Sequence, residues 1–211
     1  MLSEVFLTVD IPSPTEPSYD QDPDVILLLD VQKGNTASFE TLMHKYYARI
    51  FNFCRRMIGN HDIAEDLTQE VFVRIYKALP TYQPKSKFQT WIYTIAKNVS
   101  LNELRRLKRS VVSLDIPVDG EDGEFQRQLV DRRSPSPDAR LIAEEKQKII
   151  RDAINSLPDN QRLVVLLRRY ENLSYADIAK TMECSLEAVK SLLSRARVNL
   201  KERLADQKDL F

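Results

Sequence analysis

Glu187, Lys190, Ser191, Ser194, Arg195 and Lys201 recur at helical spacing after Ser185, so cations and hydroxyls would share one helix face. Ser185, Glu187 and Ala188 stand at the start of that helix, where side chains can reach base edges in a major groove while the cations meet phosphates. A second set lies around residues 82–108. Lys85 and Lys87 precede FQTWIYTIAKNVSLNELRRLKR, Tyr82, Trp91 and Tyr93 supply rings, and Thr90, Thr94, Lys97, Asn98, Arg105 and Lys108 line one stripe. Rings interleaved with cations suit single-stranded nucleic acid, because each base stacks for about 1–3 kcal/mol and each phosphate is an anion. Phe88 and Trp91 also lie on an apolar arc, where core packing is the simpler account.

Both sets recognise rather than make bonds. Covalent chemistry lacks its parts: the 4 glycines form no phosphate-cradling loop, and there are no paired histidines and no nucleophile motif. Cys54, Cys184, His44 and His61 match no metal-ligand spacing, so no metal and no cofactor is expected, and the two isolated cysteines read as packing residues. An enzyme is thereby disfavoured. An operator-binding repressor could use the same second helix, but the aromatic and basic stretch before it would then have no purpose.

The elements that must position these residues are helices. Ser174 with Asp177 three residues on forms a capping box, and Ser185 opens a second helix in the same way. In that second helix Leu186, Val189, Leu192, Leu193, Ala196 and Leu200 form the stripe that should pack inward, completing a helix-turn-helix. Upstream, residues 24–109 read as several helices broken at Gly34–Thr36, Gly59–Asn60 and Pro80–Pro84. From Asp62 to Leu79 the apolar arc is Ala64, Leu67, Val71, Phe72, Ile75, Tyr76 and Leu79. The other side carries Asp66, Gln69, Glu70, Val73, Arg74 and Lys77. Periodicity favours a solvated face there, with protein docking second. Strand-like alternation is absent, so the fold class is all-α: two small helical domains joined by a flexible acidic linker, the second with the helix-turn-helix.

The formal net charge is zero, yet it is segregated. Residues 1–23 carry 5 acidic and no basic residues, 24–109 carry 14 basic and 8 acidic, 110–137 carry 3 and 6, and 138–211 carry 14 and 12. Two net-basic blocks are thus flanked by an acidic arm (1–23) and joined by an acidic linker rich in Pro and Gly (110–137). No aliphatic run approaches the about 20 residues that span a bilayer. The first residues hold Glu4 and Asp10 but no cation, unlike a signal peptide, so a cytoplasmic protein without membrane insertion is expected.

The chain resembles bacterial RNA polymerase sigma factors of the extracytoplasmic-function (ECF) type within the sigma-70 family. The resemblance rests on FETLMHKYYARIFNFCRRM, AEDLTQEVFVRIYKAL, FQTWIYTIAKNVSLNELRR, LPDNQRLVVLLRRYENLSYADIAK and the recognition helix, in the family's order and spacing. It implies a factor that binds core RNA polymerase, recognises promoter DNA and promotes its opening. Asp66, Gln69, Glu70 and Val73 would dock on the polymerase clamp, and the helices around Leu157–Tyr170 on the flap tip. Lys85, Lys87, Trp91, Tyr93, Lys97, Asn98 and Arg105 would hold the unpaired minus-ten strand. Ser185, Glu187, Ala188, Lys190, Ser191, Ser194 and Arg195 would read the minus-thirty-five duplex. The regions become 24–109 (region 2) and 138–211 (region 4), and an anti-sigma factor becomes a candidate partner. Two positions depart from the family: Glu183 replaces the glycine common in the turn, where left-handed geometry would cost about 1–2 kcal/mol, and Leu192 replaces a basic residue.

Overall fold

The computed structural model describes residues 19–113 and 137–205, with side chains described except at 111–113 and 137–144. Among the described residues there are eight α-helices, one 3-10 turn and no strand. Asp22 starts α1 (Pro23–Gln32): its carboxylate accepts from the amides of Asp24 (2.9 Å) and Val25 (3.4 Å), and Pro23 fits the first turn, whose amide needs no partner. α2 (Thr36–Ile58) ends at Gly59, whose φ of 85° is reached without a Cβ penalty. Asn60 then caps α3 (His61–Ala78) through the Ile63 amide at 3.0 Å. The 3-10 turn Leu79–Thr81 leads through the Pro84 loop to α4 (Phe88–Ser113).

The expected breaks in this block therefore stand where Gly, Asn and Pro put them. Leu42, Tyr46, Ile50, Phe53 and Met57 on α2 meet Ala64, Leu67, Val71 and Ile75 on α3 and Phe88, Ile92, Tyr93, Ala96 and Val99 on α4, all buried. Each such large side chain contributes about 1.5–3 kcal/mol of burial. Edge-to-face pairs lock the layers: Tyr46 with Phe88 at 5.1 Å and Phe53 with Tyr93 at 5.4 Å. The Thr68 hydroxyl, buried on α3, is satisfied by donating to the Ala64 carbonyl at 2.6 Å.

The second bundle comprises α5 (Pro137–Asn155), α6 (Asp159–Arg169), α7 (Tyr175–Met182) and α8 (Leu186–Arg203). The ends of the expected 110–137 linker are helical, since α4 continues through Ser113 and α5 begins at Pro137; residues 114–136 lie outside the described residues. Most of the expected arm lies outside them too. Residues 19–22, however, belong to the fold: Tyr19 packs on the core and accepts a hydrogen bond from Lys180 at 2.6 Å.

The bundles touch. α4 lies on α7 and α2 on α6. Arg162 of α6 donates to the Met57 carbonyl at the end of α2 (2.9 Å), and the Arg56 guanidinium stands 4.1 Å from the Tyr170 ring centre. Lys108 pairs with Asp159 at 2.7 Å.

Candidate nucleic-acid interface

The helix-turn-helix is built as its caps dictate. The Ser174 hydroxyl accepts from the Asp177 amide (3.0 Å) and donates to its carboxylate (2.6 Å); the Ser185 hydroxyl accepts from the Ala188 amide at 3.1 Å. Glu183 occupies the turn at φ 56°, the left-handed geometry expected where the family has glycine. Asn172, at φ 55°, makes a second left-handed corner before α7. On α8 Val189 and Ala196 are buried and Leu192, Leu193 and Leu200 half-buried, but Leu186 is exposed at the helix start, one turn short of the packed stripe. Glu187, Lys190, Ser191, Ser194 and Arg195 are exposed and Ala188 is half-buried, so these residues share one accessible face with Ser185.

Beside this face a cavity of about 610 Å³ is lined by Val165, Arg168, Arg169, Tyr175, Arg197 and Leu200, among others. Arg168 is engaged there, donating to the Leu173 carbonyl at 3.0 Å with its guanidinium over the Tyr175 ring at 5.2 Å.

On α4 the predicted residues divide. Lys85, Lys87, Asn98 and Arg105 are exposed. Trp91 is half-buried, its ring 4.6 Å from that of Tyr82, whose covered hydroxyl is pushed up to about 12 by burial. Tyr93 and Lys97 are buried, against the expectation of an open stripe. The Tyr93 ring packs on Phe53 while its hydroxyl donates to the Glu171 carboxylate. Burial, and then the Glu171 charge, hold that phenol far above its ordinary range. Lys97, only 6% exposed, donates to Glu183 at 2.9 Å.

Glu171 is a functional-looking residue that periodicity had not marked. It is 4% exposed and faces Arg49 at 3.4 Å as well as Tyr93. Burial works against the Arg49 cation, but Tyr93 and Glu171 outweigh it and raise its pKa. Below this pair Tyr46 donates to Asp24 at 2.6 Å. These groups ligate one another and make no solvent-facing reactive site, and among the described residues no cluster of His, Cys, Asp or Glu is arranged to hold a metal.

On α3 Asp66, Gln69 and Val73 are exposed, Val73 by 49%, and Glu70 is half-buried in an ion pair with Arg74 at 2.6 Å. Tyr76 corrects the expected apolar arc: it is 57% exposed, edge-on to Phe39 at 5.5 Å, and it widens the face that Val73 centres.

Comparison with known proteins matches residues 42–110 to the Sigma-70 region 2 family and residues 147–200 to Sigma-70, region 4. The chain is 34% identical over 178 residues to the RNA polymerase sigma-H factor of Pseudomonas aeruginosa, covering 84% of this chain and 91% of that protein. It is 32% identical to the ECF RNA polymerase sigma-E factor of Escherichia coli (84% and 92% covered) and 31% identical to the ECF factor SigW of Bacillus subtilis (83% and 94%). Among solved structures, the fold resembles the sigma factor RpoE in complex with the anti-sigma factor NepR from Bartonella quintana, with TM-score 0.63 and 24% identity over 79% of this chain and 96% of that one. It also resembles CnrH in complex with the cytosolic domain of CnrY, with TM-score 0.62 and 23% identity over 87% and 97%.

Proposed function

The chain belongs to the sigma-70 family as an ECF-type sigma factor, and from that membership we propose how its residues divide the work of promoter opening. As a sigma factor it binds core RNA polymerase, recognises promoter DNA and promotes initiation; it is a DNA-binding factor, not an enzyme.

Residues 24–109 act as region 2 and 138–211 as region 4, with 110–137 as connector and 1–23 as an accessory arm. On α8, Ser185, Glu187, Ala188, Lys190, Ser191, Ser194 and Arg195 read the minus-thirty-five duplex. The observation that carries this is an exposed face whose Lys190 and Arg195 have no ion-pair partner among the described residues, on a helix capped by Ser185. Lys85, Lys87, Trp91, Tyr93, Lys97, Asn98 and Arg105 serve the minus-ten strand. There the exposed cations gather phosphates and a flipped base is held against rings, which offsets the few kcal/mol that unstacking costs.

Asp66, Gln69, Glu70 and Val73 form the clamp-docking face, and the helices around Leu157–Tyr170 meet the flap tip. One structural neighbour is a sigma factor in complex with an anti-sigma factor, which supports an anti-sigma factor as a binding partner here. No described helix is long and apolar enough to cross a membrane, and a cytoplasmic location follows from work on polymerase.

The test is transcription by sigma-free bacterial core polymerase supplemented with this chain on fragments of its own genome. Discrete starts sharing two upstream motifs are expected. No stimulation together with no polymerase binding would overturn the assignment, and duplex binding by the chain alone as a dimer would favour a repressor.

A further inference from the structure

Three arginines converge on the cavity beside α8 without a counter-charge. Arg168 and Arg169 line it from the last turn of α6, and Arg197 lines it from α8. No described acidic residue shares the cavity, and none of the three has an ion-pair partner among the described residues. The macrodipole of α6 accounts for cations at its end, but Arg197 stands before the last turn of α8 and gains nothing from that effect. Gathered guanidiniums repel one another, which water screens while they are exposed and which an anion between them would reverse.

The cavity is also shaped for more than an ion. The left-handed corner at Asn172, φ 55°, turns the chain so that the Tyr175 ring lies 5.2 Å from the Arg168 guanidinium. Arg168 donates to the Leu173 carbonyl at 3.0 Å as well, so one planar cation is fixed before a ligand arrives and keeps its other donors for it. Val165, Leu193 and Leu200, all half-buried, give the cavity an apolar floor. Its volume, about 610 Å³, is that of a small-molecule site.

We infer that this cavity binds a nucleoside polyphosphate, with Arg169 and Arg197 gripping its phosphates and its base or sugar covering the apolar floor beside Arg168 and Tyr175. Guanidinium forks match phosphate oxygens in pairs, and a planar base suits a surface of guanidinium, ring and leucine. Duplex DNA fits the cavity less well: it turns sugar and phosphate outward and its stacked bases inward, so it could meet the arginines but leaves the floor empty. Arg197 follows seven residues after Lys190, close to two turns along the same stripe of α8. A bound polyphosphate therefore sets negative charge beside the face proposed to read the minus-thirty-five duplex and weakens its hold on DNA; this consequence, unlike the site itself, rests on that assignment.

The experiment titrates ATP and GTP, with adenosine and inorganic phosphate as single-part probes, into the full chain in a calorimeter. At least one nucleotide should bind about tenfold more tightly than either probe, and Arg169→Gln with Arg197→Gln should cost about tenfold or more. Lys33→Gln, which removes an exposed charge elsewhere, should stay within about twofold of the parent. Absence of nucleotide binding, equal binding by the double variant, or inorganic phosphate binding as tightly would overturn the site. Loss of duplex affinity in the double variant with no nucleotide bound by the parent would assign the arginines to DNA alone and overturn it too. In the holoenzyme, on a promoter fragment from the transcription test above, the bound nucleotide should weaken duplex binding by the parent and not by the double variant, the polymerase's own nucleotide site being common to both. If the parent holoenzyme does not depend on the minus-thirty-five sequence, that assignment fails while the calorimetry, which needs no DNA, still decides the site.

Discussion

Replacing Gln69 and Val73 together by alanine should weaken core polymerase binding without loosening the fold. Val73 is 49% exposed and Gln69 is exposed on the same α3 face, so neither contributes much to the core. Val73→Ala removes two carbons, each worth about 0.8 kcal/mol when fully covered; with half of the residue already buried, about 0.8 kcal/mol is left for a partner to gain. A lost side-chain hydrogen bond at Gln69 adds about 0.5–1.5 kcal/mol. The sum, about 1.3–2.3 kcal/mol, is roughly a 10- to 40-fold rise in Kd. Alanine is the better helix former, so the thermal midpoint of the free chain should hold or rise slightly. Titrating core polymerase into a labelled chain by anisotropy, beside a melting curve, measures both. An unchanged Kd would remove this face from the docking surface, and a lowered midpoint would show that the side chains pack inward after all.

Lys190→Ala should weaken minus-thirty-five duplex binding by about 1–3 kcal/mol on the preferred sequence alone if it reads a base; an equal loss on all sequences would assign it to phosphate. Burial pushes the Cys54 thiol up to about 11, so at pH 8 the folded chain should leave it unmodified by iodoacetamide while the half-buried Cys184 reacts; equal labelling of both would refute the packing at Ser100 and Thr68. Burial raises the Asp177 carboxyl, but the hydrogen bond from Ser174, the Lys87 charge and Thr90 outweigh it and set its pKa below 3.8. A depressed carboxyl stabilises above its unfolded pKa and loses that contribution as pH falls through its folded value, so stability should decline below about pH 4. Asp177→Asn should flatten that part of a melting-against-pH profile, and an unaltered slope would refute the account.

The helices were legible because their ends are marked by residues with local reasons to stop a helix: Gly59, Asn60, Ser174 and Ser185 each do locally what their type allows, whereas Asp22, read as part of the acidic arm, caps α1. The turn at Glu183 was legible only through the family's glycine there, which left a strained left-handed turn or a differently shaped one; the structure has the left-handed one. Tyr76 was misassigned because it sits at the edge of the α3 arc, where a 100° step per residue leaves inside and outside undecided and Phe39 on α2 settles it. Leu186 precedes the first full turn of α8 and so misses the groove that its stripe enters. Lys97 read as solvent-facing, as did every cation on that stripe, because its cover comes from residue 183, and a pattern along one helix carries no information about a partner 86 positions away. Glu171 escaped for the same reason: a carboxylate in YENLS looks like surface until Arg49 and Tyr93 surround it.

Arg162 donates to Met57, so the last turn of α2 borrows its closing donor from α6 of the other bundle, with the Arg56–Tyr170 contact beside it. A helix end finished in this way cannot be indifferent to its neighbour's departure. When the bundles separate, the carbonyl at Met57 must turn to water and the chain around Gly59 becomes freer to fray. The amides of residues 55–59 therefore gauge any such separation, exchanging faster with solvent deuterium as the Arg162 and Tyr170 contacts are lost.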